Sequence, residues 1–575
     1  MKLRALLTAL LAFSLFGQSS AVAGNDTSWI PMDESVNAPT LHAFAFTDKS
    51  ALNFQYSVLQ GGDGNDMIVC NSTKDTACAK SQFFKFNSIL KACASATDTD
   101  CIAGVSAVDE SGNSSAGTFS KYTIENHLNA YPSDSKLGIP AGDMPSIWSI
   151  PSAPHASGSD YAIVAAVNGD AVINDPNGGI ANFIQISIIP TALKDFGKGR
   201  QSIAEGWSQA KPGIYYDYCT TWQQTSSRLG ADCNHVNGSA CILATKDQGM
   251  CYAEEAFGSN QRFNIQLRLS KEPSGWMHGR MIDPSITITK STGTGINLSV
   301  TAGAANVPMV YQNAAWDALP ENIKKLWVSC YEDQRLCGED SFYRGMQTPP
   351  KFDTLNTLAG QSQSNILKYV NPFGEIPLNI MSAIAPLIED KSNTQSSTWS
   401  VRTLSTLEMN GADQCITGTP GIKGIVTTNS VAYSAGPPAF KDGYLSYKVA
   451  SPHFTPDGKT PFKGNYSLVM RSDVARCLYG FSKAPISATI SVVSAEGTND
   501  VATSVTAEKN GWISLSANNF QFSSPVIQVK FSQQATEAST TTTAKKISIV
   551  CVSGKIRKTV SGMKPTCPKG FVKKG

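Results

Sequence analysis

Few stretches of this 575-residue chain have the residue types and spacing that chemistry needs. The most suggestive is GWMHGR, from Gly275 to Arg280. On a strand, successive side chains alternate between faces, so Trp276, His278 and Arg280 would share one side. An indole that stacks, beside an imidazole and a guanidinium that donate hydrogen bonds, makes a face for a sugar or a carboxylate. The competing reading of the same residues is structural: a satisfied buried histidine at a strand edge and an arginine paired locally.

A second stretch, GGDGNDMIV from Gly61 to Val69, fits the calcium repeat G-G-x-G-x-D-x-U-x letter for letter. Calcium rolls bind the ion between successive turns, so each repeat needs a neighbour. No second copy occurs, and Cys70 follows at once. The stretch therefore reads as a glycine-rich loop, with Asn65 and Asp66 as turn residues. No metal site is assigned. His155, in APHASGSDY, has no neighbour with which to act. Glu254 and Glu255 are adjacent, so on a strand they would point to opposite faces. H-E-x-x-H, G-x-S-x-G, the phosphate loop G-x-x-x-x-G-K-S/T and the Rossmann glycine pattern are all missing. The chain thus offers no catalytic motif and no cofactor motif, which favours a non-enzymatic protein without deciding against an enzyme.

The 14 cysteines, an even number, are disulfide candidates. Cys70 and Cys78, Cys93 and Cys101, and Cys330 and Cys337 are near neighbours. Cys219, Cys233, Cys241 and Cys251 crowd one segment and allow three connectivities. Cys415 and Cys477 lie within one β-rich region, and Cys551 and Cys567 close the chain. None forms C-x-x-C, so zinc-ribbon spacing is absent. Structural disulfides belong to an oxidising compartment.

These residues need elements to position them. Residues 1–23 read as a signal peptide: Lys2 and Arg4, an apolar run, then Ala21-Val22-Ala23. No later segment reaches the ~18 apolar residues of a spanning helix. Residues 24–300 read as a β-rich region of one or two domains. Within it, YAIVAAVNGDAVIND predicts a hairpin turning at Asn168-Gly169. SQFFKFNSILKACASA predicts a helix, with Phe83, Phe86, Ile89 and Leu90 at helical spacing. Residues 301–395 read as mixed and partly helical, interrupted by Pro372, Pro377 and Pro386. Residues 396–533 read as a β-sandwich-like domain able to fold alone, stapled by Cys415 and Cys477. Ile486, Ala488, Ile490 and Val492 share a strand face there, as do Ile527, Val529 and Phe531, and Asn510-Gly511 marks a turn. Residues 534–546 are a Ser/Thr-rich linker, and 547–575 form a basic cysteine hairpin. The fold class is mainly β and multidomain. Net charge is +2, so the whole chain carries no nucleic-acid footprint. Its basic residues gather at the end, at Lys555, Arg557, Lys558, Lys564, Lys569, Lys573 and Lys574, and no acidic residue follows Glu537.

The closing unit, with VCVSGK leading in and KPTCPKGF leading out, resembles the Lys-rich Cys-x15-Cys segment that ends many large, β-rich, secreted actinobacterial proteins. GWMHGRMIDPSITI, APHASGSDY and RSDVARCLYGFSKAPISATISVVSA are similar to recurring segments of that group. The resemblance implies an exported envelope or extracellular protein and no mechanism. The expectation is therefore a secreted or cell-surface, envelope-associated structural or adhesive protein, held by its basic C-terminal segment. Its expected partners are anionic envelope polymers or glycans. The alternative is a secreted glycan-binding or glycan-degrading protein.

Overall fold

The computed structural model describes residues 41–46, 57–63, 67–125, 130–174, 180–195, 222–224, 228–230, 241–244, 250–291, 295–315, 320–321, 366–370, 372–405, 408–409, 411–418, 421–434, 436–482, 486–493, 499–500, 507–522, 526–533, 547–562 and 564–575. The expected signal peptide and the linker 534–546 lie outside them. The fold is mainly β, with large multi-stranded sheets.

One sheet runs through the centre. Its principal strands are β1 (Phe83–Ile89), β2 (Asp160–Val172), β3 (Ile180–Asp195), β4 (Gly275–Lys290), β5 (Thr394–Thr403), β6 (Ile422–Thr428), β7 (Lys463–Arg471) and β8 (Trp512–Gln521). In space they lie in the order β1-β2-β3-β5-β4-β6-β7-β8. Every pair is antiparallel except β4 with β6. The long β4 leaves this sheet after Arg280, and its second half pairs with the strand Ile296–Ala315 in another sheet. That sheet continues through Arg262–Leu269 to Cys101–Val108.

Alternation along the central strands sends side chains into two cores. Met277, Trp399, Val401, Ile425 and Val469 face the first core, with Phe263, Ile265, Leu298 and Val300 opposite. Trp276, Val426, Leu468, Met470, Ile513 and Leu515 face the second. A smaller sheet of Tyr444–Ala450, Ile486–Val493 and Val526–Gln533 covers it. Ile486, Ile490, Val492, Ile527, Val529 and Phe531 all point inward, and Ala488 packs beside them, as alternation predicts. The central sheet is thus the shared layer of two sandwiches.

Three expectations need correction. Asn168-Gly169 is not a turn: β2 runs straight through it, and the register against β3 shifts there as a β-bulge. Glycine inside a strand is common at a bulge, so an Asn-Gly pair can mark a bulge as well as a turn. Second, the expected helix from Ser81 is the strand β1, hydrogen-bonded on both sides. From Phe86 to Ile89 both faces of the strand are buried, so alternation is lost there and the apolar residues mimic helical spacing. Third, the boundary near 395 is crossed by the sheet: β5 and β6 both pair with β4. The partly helical segment is present in α1 (Glu375–Ile384), which holds Pro377 in its first turn, where no helical N–H bond is needed. The stretch LPENIKKLWVSCYEDQ of the same segment lies almost wholly outside the described residues.

Within the stretch GGDGNDMIV, Gly61 and Gly62 pair antiparallel with Ile68 and Met67; Gly64, Asn65 and Asp66 lie outside the described residues. Gly61 has a packing reason: a Cβ there would come within 2.5 Å of the Ser81 hydroxyl and 2.9 Å of Phe84. Cys70–Cys78, Cys93–Cys101, Cys415–Cys477 and Cys551–Cys567 are bonded, consistent with an oxidising environment. The side chains of Cys219, Cys233, Cys241, Cys251, Cys330 and Cys337 lie outside the described residues. No described helix is long and apolar enough to cross a membrane.

Trp276 lies directly over Gly424, where a Cβ would meet the indole at 2.6 Å and the Val469 carbonyl at 2.7 Å. Gly424→Ala should therefore destabilise the protein by about 1–3 kcal/mol, read from the midpoint of a urea transition. A fragment of residues 396–533 lacks β4 between β5 and β6, and with it Trp276. It should show no cooperative thermal transition, whereas the mature chain should; a sharp transition in the fragment would show that β4 is dispensable.

Candidate functional site

Trp276, His278 and Arg280 do share one face of β4, but that face is covered. Their exposures are 0%, 3% and 1%. The strand is central, with β5 on one side and β6 on the other, and the second core closes over it. The expected sugar- or carboxylate-binding face is therefore not open to a ligand. What the residues make instead is a buried polar knot. One guanidinium nitrogen of Arg280 donates to the carbonyls of Thr428 and Ser430, at 2.9 and 2.6 Å. The same guanidinium lies 4.5 Å from the centre of the Tyr433 ring. The Tyr433 hydroxyl is 3.1 Å from His278 Nδ1. Directly opposite His278 on the neighbouring strand sits Arg402, paired with Glu408 through two hydrogen bonds. Burial pushes the His278 imidazole well below its ordinary value, and Arg402 and Arg280 add to that. Burial also opposes the Glu408 charge, but the Arg402 bonds outweigh it and hold the carboxyl below the usual range.

A different site opens at the end of the central sheet. Arg471 and Trp512 are direct partners in the β7–β8 ladder, so they share a face. Beside them is an open cleft of about 560 Å³, lined also by Glu272, Asp473, Arg476 and Glu508. The local folding explains the convergence. After β7 the chain turns into α2 (Ser472–Tyr479), which places Asp473 and Arg476 on one wall. Cys477 ties that helix to Cys415. The Asn510-Gly511 turn brings β8 back, with φ of 52° and 80°. Gly421, at φ 86°, lets the Glu272 carboxylate come close enough to accept from the Ile422 N–H at 3.2 Å.

The charges in this cleft are internally matched. Arg471 pairs with Asp473 through Nε and a terminal nitrogen. Arg476 forks onto both oxygens of Glu508, at 3.0 and 2.9 Å. The Arg476 bonds hold the Glu508 carboxyl below its usual range. Burial works against the Asp473 charge, and Arg471 outweighs it. Beneath lies Lys423, with no exposed surface, donating to the Gly421 carbonyl at 2.9 Å. Burial pulls its ammonium down to about 8; Arg471 adds to the shift, and Asp473 and Glu272 oppose it. Sequence reasoning did not single out these residues as a site. They come from four distant segments, and only the Asn510-Gly511 turn and the RSDVARC stretch were legible.

The basic hairpin forms a unit of its own strands. Ile547–Ser553 pairs with Ile556–Gly562 and with Val572–Lys573. Cys551 is fully buried and bonded to Cys567. Lys555, Arg557, Lys558, Lys564, Lys569, Lys573 and Lys574 are all exposed. Lys558 also lies over the Phe571 ring at 5.4 Å. Elsewhere, His155 bonds the Asp160 carbonyl and packs edge-on against Tyr161, a structural role. Glu255 pairs with Lys194 while Glu254 is buried. Among the described residues no group of His, Cys, Asp and Glu converges to hold a metal.

No protein-family model, no curated protein and no solved structure matches this chain.

The knot makes a pH prediction. A protonated His278 would add a third positive charge beside Arg280 and Arg402, so the native imidazole stays neutral while the unfolded one titrates near 6.5. Below that pH the unfolded chain binds a proton the native chain refuses. Stability therefore falls as pH drops below 6.5, by at most about 1.4 kcal/mol per pH unit from this group. His155, also held down by burial, acts with the same sign. Urea unfolding between pH 7 and about pH 5 should show the slope, and His278→Gln should reduce it. An identical slope in the variant would assign the effect elsewhere.

Proposed function

We propose that this is an exported, envelope-associated interaction protein, held at an anionic surface by its C-terminal hairpin. The observation that carries the reading is the arrangement of residues 547–575. Seven exposed cations project from one small three-stranded unit, and no acidic side chain offsets them. The Cys551–Cys567 bridge spans 16 residues and contributes about 3 kcal/mol in the chain-entropy model. A unit with so little apolar core depends on it. The bridge keeps the cations on a fixed scaffold, so less side-chain and backbone freedom is lost on contact with a polyanion. Attraction of this kind is long-ranged at low salt and screened over about 10 Å at 0.1 M. The large β body then serves as the presented surface, rigid and disulfide-braced.

Removing residues 547–575 should move the protein from the cell-bound fraction into the medium. About 1 M salt, where the screening length is ~3 Å, should release the intact protein in the same way. Immunoblots of both fractions read the outcome. A truncated protein that stays cell-bound as well as the full chain would place attachment in the β body instead.

A further inference from the structure

The geometry points to a second binding site, independent of the hairpin: the cleft beside Trp512, built for a neutral oligosaccharide. Its volume of about 560 Å³ falls in the range of small-molecule sites. The wall chemistry selects the ligand class. Two arginines, Arg471 and Arg476, face three acids, Glu272, Asp473 and Glu508, and the buried Lys423 lies beneath them without reaching the cleft surface. Each arginine already holds a carboxylate of the same cleft. An anionic ligand would have to compete with Asp473 or Glu508 for its arginine. A cationic ligand would have to displace an arginine from its carboxylate. Either exchange leaves one partly buried charge without its partner, which is costly.

A neutral polyhydroxylated ligand meets no such cost. A hydroxyl both donates and accepts. It can donate to a carboxylate oxygen that has lone pairs left over and accept from a guanidinium N–H, leaving each ion pair in place. Guanidinium and carboxylate bonds are the stronger kind, roughly twice a neutral bond. Trp512 supplies the complementary apolar part. It is half-buried against the first core, in a cleft it shares with Ile288 and Ile422. An indole there matches the C–H face of a pyranose ring, which an ion or a small polar solute lacks. The walls are held before any ligand arrives. The Ser472 N–H bonds the Gly511 carbonyl at 2.8 Å, joining the start of α2 to the β8 turn. The Cys415–Cys477 bridge braces the same helix. A site held in this way loses little freedom on binding.

The test uses the full mature chain with three probes, maltotriose, cellotriose and chitotriose, and with inorganic phosphate and glucuronate as anionic comparators. Calorimetry and ligand-observed NMR read binding. At least one trisaccharide should bind, with a Kd that changes less than about twofold between ~0.1 M and ~1 M salt. Trp512→Ala should weaken it by about tenfold or more, and Trp512→Phe by much less. Since Trp512 also packs against the core, Asp473→Asn serves as a second variant at a more exposed position, and it should weaken the same ligand by about fivefold. Absence of binding by all three trisaccharides at about 10 mM would overturn the assignment, as would preferred binding of phosphate or glucuronate. So would an affinity that neither Trp512→Ala nor Asp473→Asn alters. Deleting 547–575 should leave trisaccharide binding unchanged, which separates this site from retention by the hairpin.

Discussion

The parallel ladder between Gly275–Gly279 and Ile422–Thr427, with the β3–β5 and β5–β4 ladders beside it, joins the two halves of the chain into one sheet. All other principal neighbours in that sheet are antiparallel. The ladder demands close approach, and Gly424 supplies it by leaving room for Trp276. From there alternation distributes the load. Trp276 enters one core and Met277 the other, and the pattern repeats at Val426 and Ile425 and at Leu468 and Val469. Fully burying one such side chain contributes about 1.5–3 kcal/mol, so paired faces of this kind outweigh any single polar contact in the joint.

The polar knot has a different task. Buried ion pairs add little net stability, because desolvation offsets their attraction. Their effect is on register. A one-residue slip of β4 or β5 would turn every side chain to the opposite face. Arg280 would lose the Thr428 and Ser430 carbonyls and face the first core. An uncompensated buried charge costs about 3–5 kcal/mol, enough to exclude the slipped sheet. The same argument explains why these residues looked like a binding face. Alternation correctly placed Trp276, His278 and Arg280 on one side of a strand, but one strand's pattern carries no information about which sheet lies over it.

Legibility followed the range of the interactions. The inward faces at Ile486–Val492 and Ile527–Phe531 were readable because each is decided within one strand. The turn at Asn510-Gly511 and the pairings Cys415–Cys477 and Cys551–Cys567 were readable because local backbone preference and isolation in sequence decide them. Asn168-Gly169 misled because the same two residues suit a bulge, and only the β3 partner distinguishes the two. Phe83–Ile89 misled because burial on both faces from Phe86 to Ile89 erases alternation there. The cleft was invisible, since Glu272, Arg471, Arg476 and Glu508 meet only after the sheet closes, and no spacing in sequence announces a carboxylate arriving from 32 residues away at Arg476.

The long reach of the central ladder also governs how the molecule comes into being. The bonds from Arg280 to Thr428 and Ser430 span 148 and 150 residues of chain. The first half of β4 therefore emerges from the synthesising machinery with both edges open, and β5 and β6 arrive only after a long intervening stretch has been made. Closing so large a loop costs entropy before any contact rewards it, so topologies of this kind fold slowly. Until closure, Trp276 and Met277 sit on an unpaired edge strand, the very surface that pairs with other chains. Newly made protein is consequently at its most vulnerable while only its N-terminal half exists, and its yield is governed by what shields that edge during the wait.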